Sequence, residues 1–286
     1  MNSPLWNAAY AAISALKSLG YEDACFVGGV ACALYGNSRQ PHDLDILVLN
    51  THHDQEHIKR RLTNADSSFF LVPSKKVGAT YKVLWYKKQQ TAYGYLSYGS
   101  YGMTPSTFDA IKVDILLPGV MDIPSFPASD IQRSNSRYLP AAPLALVLLL
   151  KLQAWSQHRA ALQSYYYREQ YKDSMDLDAL VPIAAQKGIK PPTDTSLPQS
   201  FLTMAEKRVK EYLTAYPESP TRDGWRSMGY SVPNLTPPSG ARTRTPVYTN
   251  SSPSGSSSNT KDGTSKPKVK PLPRYRPVYS YRRSRY

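Results

Sequence analysis

The chain has 286 residues, of which 41% are hydrophobic, and it carries a formal net charge of +14. This apolar content suffices for one or two globular domains, and the strongest apolar run, of about ten residues before Lys151, is too short to span a bilayer. Two cysteines exclude a disulfide framework, so we expect a soluble intracellular protein, cytoplasmic or nuclear, without a membrane partner.

The first half of the chain predicts a mixed α+β domain, which we assign to residues 1–135. Apolar spacing and turn signals predict, in order, a helix over 8–19, a strand over 25–27, a Gly-Gly turn, a short helix through Tyr35 and a strand over 43–49. The segment HDQEHIKRRL predicts a surface helix over 53–62. Aromatic and β-branched residues then predict strands over 69–73, 79–86, 92–98 and 108–117.

Residues 136–232 predict a helical domain. Pro143 and a nearly continuous apolar stretch are typical of a buried helix, predicted over 143–162. Asp173 as an N-cap and Gly188 as a stop predict a second helix over 173–188. A third is predicted over 200–216. A mixed α+β domain followed by a helical domain is the simplest architecture.

The C-terminal segment 233–286 predicts a disordered basic tail, because it is rich in Pro, Ser, Thr and Gly and poor in large apolar residues. Residues 235–286 hold eleven Lys or Arg against Asp262 alone, a net charge of +10, which leaves +4 for the rest. Interleaved Arg and Tyr residues suggest binding of RNA or DNA. The alternatives are a solubilising tail, a phosphorylated one or a nuclear-import signal.

Two aspartates on the strand 43–49 are candidate metal ligands. Asp43 and Asp45 are two residues apart and so face the same side, while the intervening Leu44 faces the other. Paired carboxylates repel each other unless a cation lies between them, and such oxygen ligands suit Mg²⁺. A third carboxylate completes a paired-metal site, and Asp114, in the alternating stretch KVDILL, is the best candidate.

The Gly28-Gly29 turn is a candidate phosphate site. It follows a short apolar strand and precedes a short helix, and a turn without side chains lets a phosphate approach the backbone N–H groups. A Gly-Gly pair alone is most often an ordinary turn, and an Asp-x-Asp doublet alone is often a solvated strand edge. The combination of both with a later Asp strand is what points to a nucleotide site.

The stretches GGVACALYGNSRQPHDLDILV (28–48) and KVDILL (112–117) resemble the nucleotidyltransferase superfamily that shares the polymerase-β palm. Thirteen residues separate Gly29 from Asp43, at the long end of the family spacing. The helical part resembles the AbiEii-type branch, in the stretch LLLKLQAW and the later residues Arg159, Lys172, Asp173 and Asp176. The resemblance covers roughly residues 20–185, and Gln40-Pro41-His42 departs from the family pattern just before the metal doublet.

This resemblance implies a nucleotidyltransferase-fold mixed β-sheet flanked by helices. It implies that Asp43 and Asp45 bind Mg²⁺ or Mn²⁺ and the triphosphate of an NTP substrate. It further implies that Asp114 completes the second metal site and helps to deprotonate the attacking hydroxyl. All three are therefore our predicted catalytic and metal-binding residues.

Four other residues have both a structural and a functional interpretation. Lys151 is isolated in an apolar helix, so its amine either reaches solvent or binds the nucleotide phosphates. Arg39 is either a solvated loop residue or a phosphate ligand. Asp173 and Asp176 share a helix face and either cap the helix or lie near the active site. We include Gly28, Gly29, Arg39, Lys151 and Asp173 among the predicted nucleotide-binding residues.

Two further clusters favour structural interpretations. His53 and His57 have a spacing that can bind zinc, but no third ligand is evident, so a polar surface is favoured. The tyrosines of SYYYREQY (164–171) could stack on bases, although packing at an interface or in a core explains most such clusters.

The function these features predict is transfer of a nucleoside monophosphate from an NTP to an acceptor hydroxyl, with release of pyrophosphate. RNA is slightly favoured as the acceptor because of the tail, and a protein or a small molecule such as an aminoglycoside are alternatives. A second hypothesis is an inactive nucleic-acid-binding protein that kept the fold, which the intact aspartate trio argues against. A third is a toxin-like enzyme that harms its host cell.

Overall fold

The part of the chain that the computed structural model describes, residues 3–76, 78–87 and 110–234, contains five β-strands in one mixed sheet. These are β1 (Ala24–Val27), β2 (Asp43–Val48), β3 (Phe69–Pro73), β4 (Lys82–Tyr86) and β5 (Ile111–Leu116). Their spatial order is β1-β2-β5-β4-β3. Strands β2 and β5 run parallel, and each other neighbouring pair is antiparallel. This order places the two strands that carry the predicted metal ligands side by side.

Seven α-helices accompany the sheet in the same described ranges. They are α1 (Pro4–Ser18), α2 (Gly28–Leu34), α3 (Gln55–Ala65), α4 (Leu144–Arg159), α5 (Ser164–Gln186), α6 (Gln199–Ala215) and α7 (Arg222–Ser227). The start of α3 is set by Asp54, whose carboxylate accepts a hydrogen bond from the backbone N–H of His57 at 2.7 Å. None of the described helices is both long and apolar enough to cross a lipid bilayer.

The predicted fold class, α+β with a mixed sheet and flanking helices, is confirmed. The predicted strand over 92–98 and the tail from residue 235 onward lie outside the described residues. The division into domains at residues 135 and 232 stays a prediction. Buried apolar side chains of the sheet and of the helices, from Leu5 to Tyr230, belong to one hydrophobic cluster.

Helix α4 is anchored to the sheet next to the Gly-Gly turn. The backbone N–H of Phe26 donates to the carbonyl of Pro140, and that of Ala142 donates back to Phe26. The hydroxyl of Tyr35 donates to the Ala142 carbonyl at 2.6 Å. These bonds hold the residues immediately before α4 against β1 and α2, so α4 begins close to the Gly-Gly turn. Farther along the helix, Trp155 is fully buried.

The prediction of a helix starting at Asp173 was wrong. Helix α5 begins at Ser164, because the stretch SYYYREQYK contains no Gly or Pro and continues the same helix. Asp173 therefore lies in the helix interior, where it is only 5% exposed, and does not serve as an N-cap. Its buried position beside α4 requires partners for its charge, and these are found in the site described next.

Candidate active site

The three predicted metal ligands lie together on neighbouring strands. Asp45 on β2 is directly in register with Asp114 on β5, so the two side chains leave the sheet on the same face. Asp43 precedes Asp45 by two residues on that face. The alternate residues Leu44 and Ile46 are fully buried on the opposite face. Burial of one face of β2 thus directs both of its carboxylates to the other.

Asp45 is at the centre of this carboxylate cluster. Burial of its carboxylate, together with the negative charges of Asp43 and Asp114, raises the pKa of Asp45 to about 7. The positive charges of Lys151 and Lys112 partly oppose this rise. The cluster therefore has an excess of negative charge that the protein's own cations do not fully compensate.

Lys112 is a member of the site that the sequence interpretation did not include. It lies on β5 two residues before Asp114, and its Nζ is 2.5 Å from Oδ2 of that aspartate. Burial opposes its charge, but the carboxylates of Asp114 and Asp43 raise the pKa of Lys112 above its ordinary value. The two-residue spacing, which puts both side chains on one face, is the sequence signal that could have identified it.

The Gly28-Gly29 turn packs directly against the carboxylates. Gly28 has a φ of +56°, and a Cβ placed on it would overlap Oδ2 of Asp45. A Cβ on Gly29 would lie 3.0 Å from the side chain of Pro41 and 3.5 Å from the Arg39 guanidinium. Only glycine fits at residue 28, since any side chain there would displace the carboxylate of Asp45.

We expect Gly28→Ala to destabilise the protein more than a substitution at another glycine of similar backbone conformation. Gly119 is the matched control, because it has a φ of +82° but no atom within 4 Å of the position that a Cβ would take. Both variants bear the left-handed backbone penalty of about 1–2 kcal/mol, and only Gly28→Ala adds the clash with Asp45. Denaturant unfolding of both variants measures the difference; equal losses of unfolding free energy would contradict the contact.

A second charged cluster is centred on Asp176, which is completely buried. Arg39 donates to both of its carboxylate oxygens, at 2.6 and 2.7 Å. Asn37 Nδ2 donates to Oδ1 at 2.8 Å, and Lys151 Nζ lies 2.9 Å from Oδ2. Burial alone would raise the pKa of Asp176, but the hydrogen bonds from Arg39 and the charge of Lys151 outweigh it and hold that pKa below its usual range.

Lys151 connects Asp176 to a second buried acid, Asp173. Its Nζ lies 3.4 Å from Oδ1 of Asp173, whose other oxygen is 2.6 Å from Nδ1 of His158. Although burial opposes the charge of Lys151, the negative groups around it hold its pKa above the ordinary value. His158 lies two helical turns after Lys151 on α4, so both side chains face α5.

The two clusters meet at the Gly-Gly turn. Arg39 lies beside Gly29 and binds Asp176. The positive charge of Lys151 also acts on Asp45, because it lowers the pKa of that carboxylate, although the net shift of the pKa is upward. All residues predicted for catalysis, metal binding and nucleotide binding therefore belong to one connected region. Asn37 and His158 were not predicted, and Asn37 had no local signal because its partner is 139 residues away.

Three other residues singled out in the sequence have separate surroundings. Arg159 is exposed; it donates to Gln170 at 3.4 Å and its guanidinium carbon is 5.6 Å from the centre of the Trp155 ring. His53 and His57 form a stacked pair with ring centres 4.1 Å apart, and His53 Nδ1 is 2.9 Å from the Tyr21 hydroxyl. These contacts agree with the polar-surface interpretation of the two histidines.

The carboxylate cluster is a suitable donor set for a divalent cation. Its ligands are oxygens, which Mg²⁺ and Mn²⁺ prefer. Burial and the negative charges of Asp43 and Asp114 raise the pKa of Asp45, and a bound cation would oppose this rise. Within residues 3–76, 78–87 and 110–234, no three His, Cys, Asp or Glu side chains are already close enough to enclose an ion.

Comparison with protein families gives a match to a known family. The model of the family described as "Nucleotidyl transferase AbiEii toxin, Type IV TA system" matches residues 14–237. This range includes both charged clusters and extends beyond the roughly 20–185 over which the sequence motifs were recognised. A search of curated proteins gave no significant match.

Proposed function

Since the chain belongs to the AbiEii nucleotidyltransferase family, we propose that it moves a nucleoside monophosphate from an NTP to an acceptor hydroxyl in a metal-dependent reaction. The resemblance seen in the sequence motifs is confirmed by the family match. The observation that carries the proposal is the register of Asp45 with Asp114, with Asp43 on the same face and Gly28 packed against Asp45. An inactive binding protein would not need three acids in this arrangement.

In this proposal, the aspartates Asp43, Asp45 and Asp114 would hold Mg²⁺ or Mn²⁺, which would neutralise phosphate charge and polarise the reacting phosphorus. The Gly28-Gly29 turn lies directly beside the Asp45 carboxylate and would offer backbone N–H groups to the phosphates. Catalysis would depend mainly on positioning and on charge neutralisation.

The cations of the second cluster would bind the triphosphate. Arg39 and Lys151 keep side-chain exposures of 23% and 14%, and both are paired with Asp176, which fixes their positions. Asp176 is fully shielded from solvent and would not contact the substrate itself. We therefore assign Asp176 as the residue that positions the two cations, and Asp173 as the residue that positions Lys151 from its other side.

The acceptor step forms a bond from the acceptor oxygen to the α-phosphorus and breaks the bond from that phosphorus to the departing pyrophosphate. Asp114 would accept the proton of the hydroxyl. RNA is the acceptor we favour slightly, on the strength of the basic tail, and a protein hydroxyl or a small molecule such as an aminoglycoside are alternatives. The family description names toxins, so we also propose that the activity harms the cell that produces it.

Purified protein, incubated with each α-labelled NTP, Mg²⁺ or Mn²⁺ and a pool of small RNAs, tests this function. We expect label on the acceptor with the wild type and none with the Asp43→Asn, Asp45→Asn double variant, because that variant loses the charges that hold the metal. A gel that separates RNA from protein identifies the acceptor class, and pyrophosphate release reports a small-molecule acceptor.

Growth of the producing cells provides an independent control for toxicity, because the wild type should slow growth and the double variant should not. Absence of label and of pyrophosphate, together with no rise in melting temperature on adding NTP and metal, would overturn the enzyme proposal in favour of the binding protein.

A further inference from the structure

The first two turns of α5 expose an unusual concentration of aromatic side chains. Tyr165, Tyr166, Tyr167 and Tyr171 are 42–57% exposed, and they make up four of the seven exposed tyrosines in the described residues. Tyr167 and Tyr171 are one helical turn apart and share the solvent face with Arg168. We call these four tyrosines and Arg168 the tyrosine surface.

The tyrosine surface is joined to the proposed active site through His158. The Tyr166 ring lies nearly parallel to the imidazole of His158, at 10° and a centre-to-centre distance of 6.0 Å. His158 in turn contacts Asp173 at 2.6 Å, and Asp173 contacts Lys151. Tyr165 continues the aromatic row outward, with its ring centre 4.2 Å from that of Tyr166. The aromatic row is therefore linked by three successive side-chain contacts to Lys151, one of the proposed phosphate-binding cations.

Positive charge accompanies these rings. Arg168 lies between Tyr167 and Tyr171 in the sequence, and the exposed Arg159 ends the neighbouring helix α4. The acid of this stretch, Glu169, is already paired with Lys172 at 2.8 Å. Exposed aromatic faces next to exposed guanidinium groups match a ligand that combines stackable rings with phosphates.

We propose that the tyrosine surface binds unpaired bases at the end of a single-stranded nucleic-acid acceptor and directs its terminal hydroxyl toward the aspartates. The inference rests on the proposed function and names the surface that holds the acceptor. Stacking tolerates any base, so this surface supplies affinity without strong sequence preference. The surface is distinct from the basic tail, which would add salt-sensitive attraction to the phosphates.

The test measures binding of a fluorescently labelled oligouridylate to the full-length protein by anisotropy, in EDTA and without NTP. The variant is the triple substitution Tyr165→Ala, Tyr167→Ala and Tyr171→Ala; the matched control replaces the same three residues by Phe, which keeps the rings. Tyr138→Ala is a second control, because Tyr138 is 85% exposed and lies on the connection between β5 and α4. We expect the Ala triple variant to bind about tenfold more weakly or worse, and both controls to bind like the wild type.

The tail is identical in all variants, and repeating the titration at about 0.3 M salt suppresses its phosphate contacts more than stacking. Unchanged affinity of the Ala triple variant at both salt concentrations would overturn the proposal. So would sedimentation showing that the wild type self-associates and the Ala triple variant does not, since the surface would then be a protein interface. Equal melting temperatures of the variants exclude a folding defect.

Failure of this inference can be told from failure of the proposed function. Binding of the oligonucleotide is measured without metal or nucleotide, so its result does not depend on whether transfer occurs. Ring-dependent binding without any nucleotidyl transfer would support the surface and reject the enzyme. Transfer to RNA that is equally efficient in the Ala triple variant would reject the surface and leave the enzyme standing.

Discussion

Replacing Asp45 by Asn is expected to abolish nucleotidyl transfer and, at the same time, to raise the melting temperature of the metal-free protein. Activity should fall by about 10²-fold or more, because the central carboxylate of the proposed metal site is lost. Stability should rise because Asp45 is partly buried beside Asp43 and Asp114, and a neutral amide of the same shape removes their repulsion. Opposite changes in activity and stability distinguish a functional acid from a structural one.

The stability of the metal-free protein should also depend on pH through this carboxylate. The pKa of Asp45 is about 7 in the folded protein and about 4 in an unfolded chain. The folded state therefore binds the proton more tightly, and the wild type should lose stability relative to the variant as pH rises from about 4 to about 7.

Thermal unfolding in EDTA across this pH range measures the effect on stability. Asp223→Asn is the control, since Asp223 is 91% exposed in its side chain and its ion pair with Arg226 contributes little. A metal-free Asp45→Asn variant less stable than the wild type at pH 7 would show that the carboxylate holds the fold together. The metal-site proposal would then lose its main electrostatic argument.

Replacing Asp176 by Asn is expected to give the largest loss of stability of any single substitution considered. The substitution leaves Arg39 and Lys151 without their shared counter-charge in a site where Asp176 is fully buried. Removing one partner of a buried ion pair costs about 3–5 kcal/mol of unfolding free energy. Activity should also fall, because the two cations would no longer be held beside the Gly-Gly turn.

Urea unfolding at several pH values checks this result. The pKa of Asp176 is lowered in the folded protein, so its stabilising contribution is present above the unfolded pKa of about 4 and disappears as pH falls through the lower folded value. The difference between wild type and Asp176→Asn should therefore be constant near neutrality and shrink in acid.

Asp178→Asn is the matched control on the same helix. Asp178 is exposed and accepts a hydrogen bond from the neutral hydroxyl of Tyr212 at 3.1 Å. We expect its loss of stability to be well below that of Asp176→Asn. Equal losses for the two variants would mean that the ion pairs of Asp176 contribute nothing beyond an ordinary hydrogen bond.

Local alternation was sufficient to predict which face of each strand carries the aspartates. In a strand with one buried face, Leu44 and Ile46 must point inward, so Asp43 and Asp45 must share the other face. The same reasoning applied to KVDILL placed Asp114 on the open face of its strand and could also have placed Lys112 there. These are properties of neighbouring residues, and the sequence alone determines them.

The partners of the buried charges were decided only by the tertiary structure. Asp176 meets Asn37 and Arg39 across more than a hundred residues of chain, and Asp173 is an interior residue paired with Lys151 where a helix cap had been expected. A helix pattern tells which residues share a face, but not which other element that face meets. Buried charges are stable only with partners in space, so their roles depend on how strands and helices pack rather than on their order in the chain.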